Sequence, residues 1–411
     1  KTGICVEYWD LKNYVKKLFF AAFLVSLLVA CREAAGPRND LQQPNASSVN
    51  IELEPGIKIG LEDGSTPLEA EALLGKPARV ATSSARIVYV VDNMTTSVKS
   101  YTPEGQFIRE IGREGEGPGE FGRIGCIFLD AEDHLYVSDP DANKFERFNA
   151  NGDYQQTLRM DTAQRLFPHS CVLLQDDRLA IVSHQNHNPE PGGDSFVSIY
   201  SMPSGDARRM DKVSHIGGFE QYTRGDGPPE TLRLLARSFP GHISSSGNDV
   251  TYASGFYDGR LHVYDAFPSP GPSTTFELPS AEAPPFEVTD ESRRFTISIF
   301  SRLGELFVLA NAKTIGLFQD DDFYYLLTDE RDGESRVVRL RVIRLDGQYL
   351  GHRDLFSEDG APTSFTGIQP SWMSSEGELF IINTREVPHV YSLRINVMDG
   401  SGVSTLEGPA M

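Results

Sequence analysis

The sequence predicts an all-β fold, a six-bladed β-propeller built from four-stranded blades. Residues 87–121 (IVYVVDNMTTSVKSYTPEGQFIREIGREGEGPGEF) and 134–160 (HLYVSDPDANKFERFNANGDYQQTLRM) share one plan. Each has an alternating strand ending in Asp92 or Asp139, a polar turn, a second strand, a Gly-containing turn and a third strand. A fixed period of about 40–50 residues made of short strands marks a propeller. The strand rhythm then continues toward the C-terminal end. Alternation such as Val338, Leu340 and Val342 against Arg339 and Arg341 suits strands packed on neighbouring blades.

The elements follow in order. Residues 16–31 read KKLFFAAFLVSLLVAC. Lys16 and Lys17 form a positive n-region, and the apolar run from Leu18 to Val29 suits a secretory h-region better than a membrane span. Leu28-Val29-Ala30-Cys31 reads as a bacterial lipobox, which makes Cys31 the acylated residue and residues 1–30 an upstream segment plus a lipoprotein signal peptide. Residues 1–14 precede the n-region, and Val15 is read as an initiator from an alternative start codon. Residues 31–48 lack apolar periodicity and read as a flexible tether.

From residue 49 to residue 411 the chain reads as the propeller. Blades are expected over about 75–112, 119–160, 165–216, 238–279, 310–357 and 365–404. The sixth lacks an outer strand of its own. The segment VNIELEPGIKIG, residues 49–60, is expected to supply it, which joins the first and last blades and removes an exposed edge. Short helical insertions are expected between blades, over 229–237 (PETLRLLAR) and 290–310. The latter places Phe295, Ile299, Leu303, Leu306, Phe307 and Ala310 on one helical face behind a Thr289 or Asp290 cap.

Composition excludes some functions. The net charge is −20, with 58 Asp and Glu against 38 Lys and Arg. Nucleic acid as a partner needs a basic footprint and is excluded. A polybasic membrane contact is equally disfavoured, so the membrane is reached through lipid at Cys31. Cys126 and Cys171 fall at matching places in neighbouring repeats. They read as two small buried thiols in inner strands, with a disulfide as the alternative in an oxidising compartment.

IREIGREGEGPGEF followed by LYVSDPDANKFERFNANG resembles NHL repeats, and the surrounding chain is similar to the six-bladed propeller lipoproteins of Bacteroidetes-type bacteria. The resemblance covers roughly 75–160 and thins to strand rhythm over 165–404. It implies that Gly112 to Gly122 joins two blades and that Asp92 and Asp139 each tie a turn. It also implies where a site would lie. Lyases of this type that act on peptidyl-hydroxyglycine hold zinc at the channel mouth through three histidines from different blades.

His169 and His242 each stand just before an inner strand, after Phe167-Pro168 and Phe239-Pro240, where a propeller opens its central channel. Lys76, Arg123, Lys313 and Gln369 hold the corresponding places in the other blades. A third histidine is missing, so a catalytic metal lacks its usual ligands and no cofactor is assigned. The cations among these six would instead form a positive collar able to hold a carboxylate, sulfate or acidic sugar. Alternatively, they pair with nearby carboxylates and hold the ring shut. Gly115, Gly117 and Gly119 lack the Lys-Ser/Thr of a phosphate loop and read as an inter-blade turn. Asp139, Asp141 and Asn143 open like a calcium loop, but Lys144 and Ala150 stand where Gly and Glu are required. An Asx turn fits them better, and Asp320 to Asp322 read as a solvated turn. Arg224-Gly225-Asp226 and the pair His184 and His187 read as ordinary loop.

The function expected is a binding module on the bacterial outer membrane, recognising an unknown peptide, glycan or partner protein through the propeller rim and channel mouth. The other reading is a lyase or hydrolase with a metal-assisted site at that mouth.

Overall fold

The computed structural model describes residues 49–60, 70–160, 167–184, 197–216 apart from 206, 235, 239–265, 271–279, 286–289, 296–301, 304–332, 335–359, 367–385 and 387–398. The expected signal peptide, Cys31 and the tether lie outside them, as do His187 and Arg224-Gly225-Asp226.

The described strands form six blades of four antiparallel strands, each running outward from an inner strand beside the axis, and the second blade gains a short fifth strand, Arg209–Met210, paired parallel to its outer edge. The inner strands are Pro77–Thr82, Ile127–Leu129, Phe167–Leu173, His242–Ser246, Ala312–Gln319 and Ile368–Met373. Each touches the next around the ring, and the sixth touches the first. The circle is therefore closed. The sixth blade takes its outer strand, Asn50–Ile59, from the start of the fold. That strand pairs antiparallel with His389–Met398, from Asn50 opposite Met398 to Ile59 opposite Val390. The expected closure by residues 49–60 is thus present.

A blade cannot bury both its faces alone, so neighbours share the burial. One apolar cluster fills each of the six seams. The seam between blades six and one gathers Ile59, Val80, Val90, Tyr101, Phe380 and Ile382. That between blades five and six gathers Ile51, Leu327, Leu340, Ile381 and Ile395. The closing strand contributes to both, through Ile59 and Ile51.

The two clear repeats are tied by buried carboxylates. Asp92 accepts N–H bonds from Gly75 (2.9 Å), Lys76 (2.7 Å) and Met94 (3.0 Å). Asp139 accepts from Gly122 and Asp141, each at 3.0 Å, the latter being the expected Asx turn. Lys99 and Lys144 lie 3.5 and 3.9 Å from these carboxylates. Between the repeats, Arg113–Glu114 pairs parallel with Glu120–Phe121. The Glu120 carboxylate turns back onto the Gly117 N–H at 2.9 Å and the Arg113 guanidinium at 2.7 Å. The glycine-rich loop thus holds its own anion. At Gly112, where φ is +72°, an added Cβ would lie 2.3 Å from the Phe121 ring.

Two expectations change, and a third is described at one residue only. The described residues of 290–310 are strands, not a helix: Phe286–Thr289, Thr296–Ser301 and Gly304–Ala310 make a three-stranded sheet inserted between blades four and five. The β-branched run Thr296-Ile297-Ser298-Ile299 favours strand, and Phe307 to Ala310 alternates in burial. The insertion is anchored by Arg336, fully buried, which donates to Asp329 at 2.8 Å and to the Ala310 carbonyl at 2.9 Å. Of 229–237 only Leu235 is described. Its carbonyl accepts the Phe239 N–H at 2.9 Å, and its side chain packs on Phe256, Phe286 and Val308. Leu235 is helical, as expected for 229–237, and elsewhere among the described residues Ala70–Ala72 forms a 3-10 turn. Second, Cys126 and Cys171 are joined in a disulfide across the seam of blades two and three. They are not the two separate thiols expected.

Three outcomes follow from these contacts. Deleting residues 49–60 should abolish cooperative unfolding, and Ile59→Ala alone should cost about 2–5 kcal/mol in a denaturant melt. Reducing the Cys126–Cys171 bond, which spans 45 residues, should cost about 4 kcal/mol on a loop-entropy basis, read as the midpoint shift with and without reductant. His262, buried in blade four with Nδ1 3.0 Å from Thr275 Oγ1, has its pKa pushed down to about 4 by burial and then by Arg260. The unfolded chain binds this proton from its ordinary pKa of 6.5 downward, so stability is lost as pH falls from 6.5 toward 4. Unfolding midpoints of His262→Gln should vary less across that window than those of the parent protein.

Candidate functional site

The axis of the ring opens into a cavity of about 300 Å³ lined from all six blades. Inner-strand bulges shape it. Ala78, His169, Ile315 and Ser371 each stand unpaired where the register with the second strand slips by one. A bulge bends its strand and re-aims the side chains beside it. His169 is itself such a residue, and Arg79 follows another.

These residues meet across the axis. Arg79 of blade one reaches past blade two, and its Nη2 donates to the His169 carbonyl of blade three at 3.4 Å. Its Nη1 donates to the Ala78 carbonyl at 2.8 Å. The His169 ring stands edge-on to that of His242 of blade four, with centroids 5.0 Å apart. Ser244 donates to Gln319 at 3.4 Å, and the Trp372 indole is fixed by donation to Thr82 at 2.9 Å. The Val80 N–H donates to Ser371 Oγ at 2.9 Å, which links the inner strands of blades one and six.

Charge in the cavity runs against the charge of the chain. None of the lining residues is Asp or Glu, in a protein with 58 of them. Arg79 is the one Lys or Arg in that lining. Burial pushes its pKa down, yet a guanidinium starts so high that it stays charged. Its Nε is buried with no hydrogen-bond partner.

The six residues expected at the channel mouth separate into three groups. His169, His242 and Gln369 line the cavity. Lys313 and Gln369 line a second hollow of about 230 Å³ between blades five and six, where Lys313 lies 3.4 Å from Asp329. Burial lowers the Lys313 pKa, and Asp329 opposes that shift. Lys76 and Arg123 line neither hollow. Lys76 is exposed and gives its backbone N–H to Asp92. Arg123 lies 3.6 Å from Asp141 and 5.5 Å from the centroid of the Phe167 ring.

A zinc centre of the lyase type does not fit this lining. His169 and His242 stand together, but no third histidine and no carboxylate joins them, and both lining cysteines are bonded to each other. Elsewhere Asp130, Glu132 and His134 bring ligand atoms within 4.8 Å of one another. There Asp130 is already engaged by the His134 ring (2.9 Å) and the Tyr136 hydroxyl (3.0 Å), and Arg147 Nη2 lies 3.0 Å from His134 Nδ1. A cation would meet a guanidinium there.

Sequence reasoning missed Arg79. Its signal is PARVAT, where a cation interrupts the inner strand of blade one.

Residues 67–198 match the family described as 6-bladed beta-propeller. No curated protein matches the sequence. Among solved structures, the fold is similar to a putative exported protein from Bacteroides fragilis, with 11% identity, 84% of this chain and 95% of that one covered, and a TM-score of 0.50. It is also similar to a member of the duf4221 family from Bacteroides vulgatus, with 10% identity, 86% and 100% covered, and a TM-score of 0.52. These likenesses are of fold.

Proposed function

We propose that this chain is a lipid-anchored binding module of the bacterial envelope, acylated at Cys31 and recognising a peptide, glycan or partner protein at the mouth of its channel. The observation that carries the reading is the axial cavity, where His169, His242 and Gln369 from three blades converge on one opening. Ligand sites favour concave places with a few convergent polar groups on a rigid scaffold. The order of n-region, apolar run and lipobox before Cys31 supports the anchor. The fold likeness to a protein described as a putative exported protein is in keeping with that location.

The test begins with protein purified from native membranes and identification of what travels with it. Cys31→Ser should move the chain from the membrane to the soluble fraction. His169→Ala combined with His242→Ala and Gln369→Ala should weaken capture of the co-purifying species at least about tenfold, the loss expected when central contacts are truncated. Full retention by the triple variant would refute the channel mouth as the site.

A further inference from the structure

The reading above leaves open what the ligand presents to the channel. We infer that the channel takes a carboxylate carried on an apolar body, with Arg79 holding the carboxylate, and that the natural ligand is a peptide whose C-terminal residue is apolar. This inference rests on the channel being the binding site.

Arg79 carries the first half of the inference. A guanidinium has five N–H donors in a planar fork. Here two backbone carbonyls take one bond from each terminal nitrogen, and Nε–H is buried without an acceptor. Among the described residues no carboxylate pairs with Arg79. Buried cations are ordinarily paired, because an unpaired one carries its full desolvation cost. Other buried cations of this protein obey that rule: Arg336 has Asp329 at 2.7 Å, and Lys99 has Asp92 at 3.5 Å. Arg79, half-buried with its Nε enclosed, departs from that rule, and it sits in the wall of the axial cavity of about 300 Å³. Each terminal nitrogen has a second N–H left to give, and an incoming carboxylate could accept from them in a charge-assisted pairing.

Charge number selects among anions. One guanidinium stands in a lining with no second Lys or Arg, and its neighbours are neutral Ser, Gln and Trp with two histidines. A singly charged group is neutralised there. A phosphate dianion would bring a surplus negative charge into a low-dielectric hollow.

The walls supply the second half. Val172, Phe318 and Trp372, from blades three, five and six, are half-buried and line the cavity. Trp372 is held in place through its indole N–H. Hydroxyls of a sugar acid that met these three side chains would find no partner there. An apolar terminal residue matches them, and about 300 Å³ is the lower end of ligand-pocket size, enough for one or two residues.

Calorimetric titration of the folded chain with N-acetylphenylalanine, N-acetylphenylalaninamide and glucuronate tests this. The first should bind at least tenfold more tightly than either of the others. Arg79→Gln should remove that preference, bringing the acid down to the level of the amide, and Arg79→Lys should keep part of it. Equal affinity for acid and amide in the unaltered protein would overturn the inference while leaving the channel a binding site, and this comparison holds even where a variant fails to fold. Tighter binding of glucuronate would overturn it in favour of a sugar acid. Absence of binding by all three probes at millimolar concentration would overturn it too. The channel-mouth reading would then still stand or fall on capture of the native species by the His169, His242 and Gln369 variants.

Discussion

The pairing of Asn50–Ile59 with His389–Met398 is the constraint on which the rest of the molecule depends. Each blade is a small radial sheet whose faces are covered only by its neighbours. An open arc of such sheets would leave two faces wet and two inner strands unsupported. Closing the arc with main-chain hydrogen bonds between the first and last strands lets every seam hold a dry cluster, and it sets the diameter of the axis. The cavity, and the distance over which Arg79 can reach His169, follow from that diameter.

Polar groups then set the finer geometry, and they do so unevenly. Blades one and two rely on strand-end aspartates that gather backbone N–H groups, with a lysine close by. Blade five works differently. Asp329 and Glu330 sit inside a cluster with Lys313, Arg336, Arg339 and Arg341, and Arg341 also lies 4.6 Å from the Tyr257 ring centroid of blade four. Breaking one member of such a buried set leaves another charge stranded. The cluster therefore specifies how blades four and five and the inserted sheet fit together.

Much of this architecture was legible in the residues. Strand alternation and turn chemistry are local, so the six blades and the closing strand could be read directly. The resemblance to NHL repeats implied that Asp92 and Asp139 tie turns, and the nearby loop N–H groups they accept from bear this out. The insertion at 286–310 was harder. A run such as FTISIFSRLGELFVLA satisfies helical spacing and strand spacing together, and its partners decide between them. The disulfide was legible only as an alternative, and Arg79 was not singled out, for a related reason. Which side chains meet at the axis depends on bulges at Ala78 and His169, and a bulge leaves little trace in composition. Of the residues named from sequence, the two histidines and Gln369 reach the cavity, while Lys76 and Arg123 stop short of it.

The register of the clasp brings Asn50 opposite Met398, so the first and last described strands end at one edge of the same blade. Position along the chain is thereby uncoupled from position around the circle. Linking those two ends and cutting any exposed hairpin instead would yield a permuted polypeptide with the same neighbours in space, the order of blades being a matter of genetics more than of mechanics.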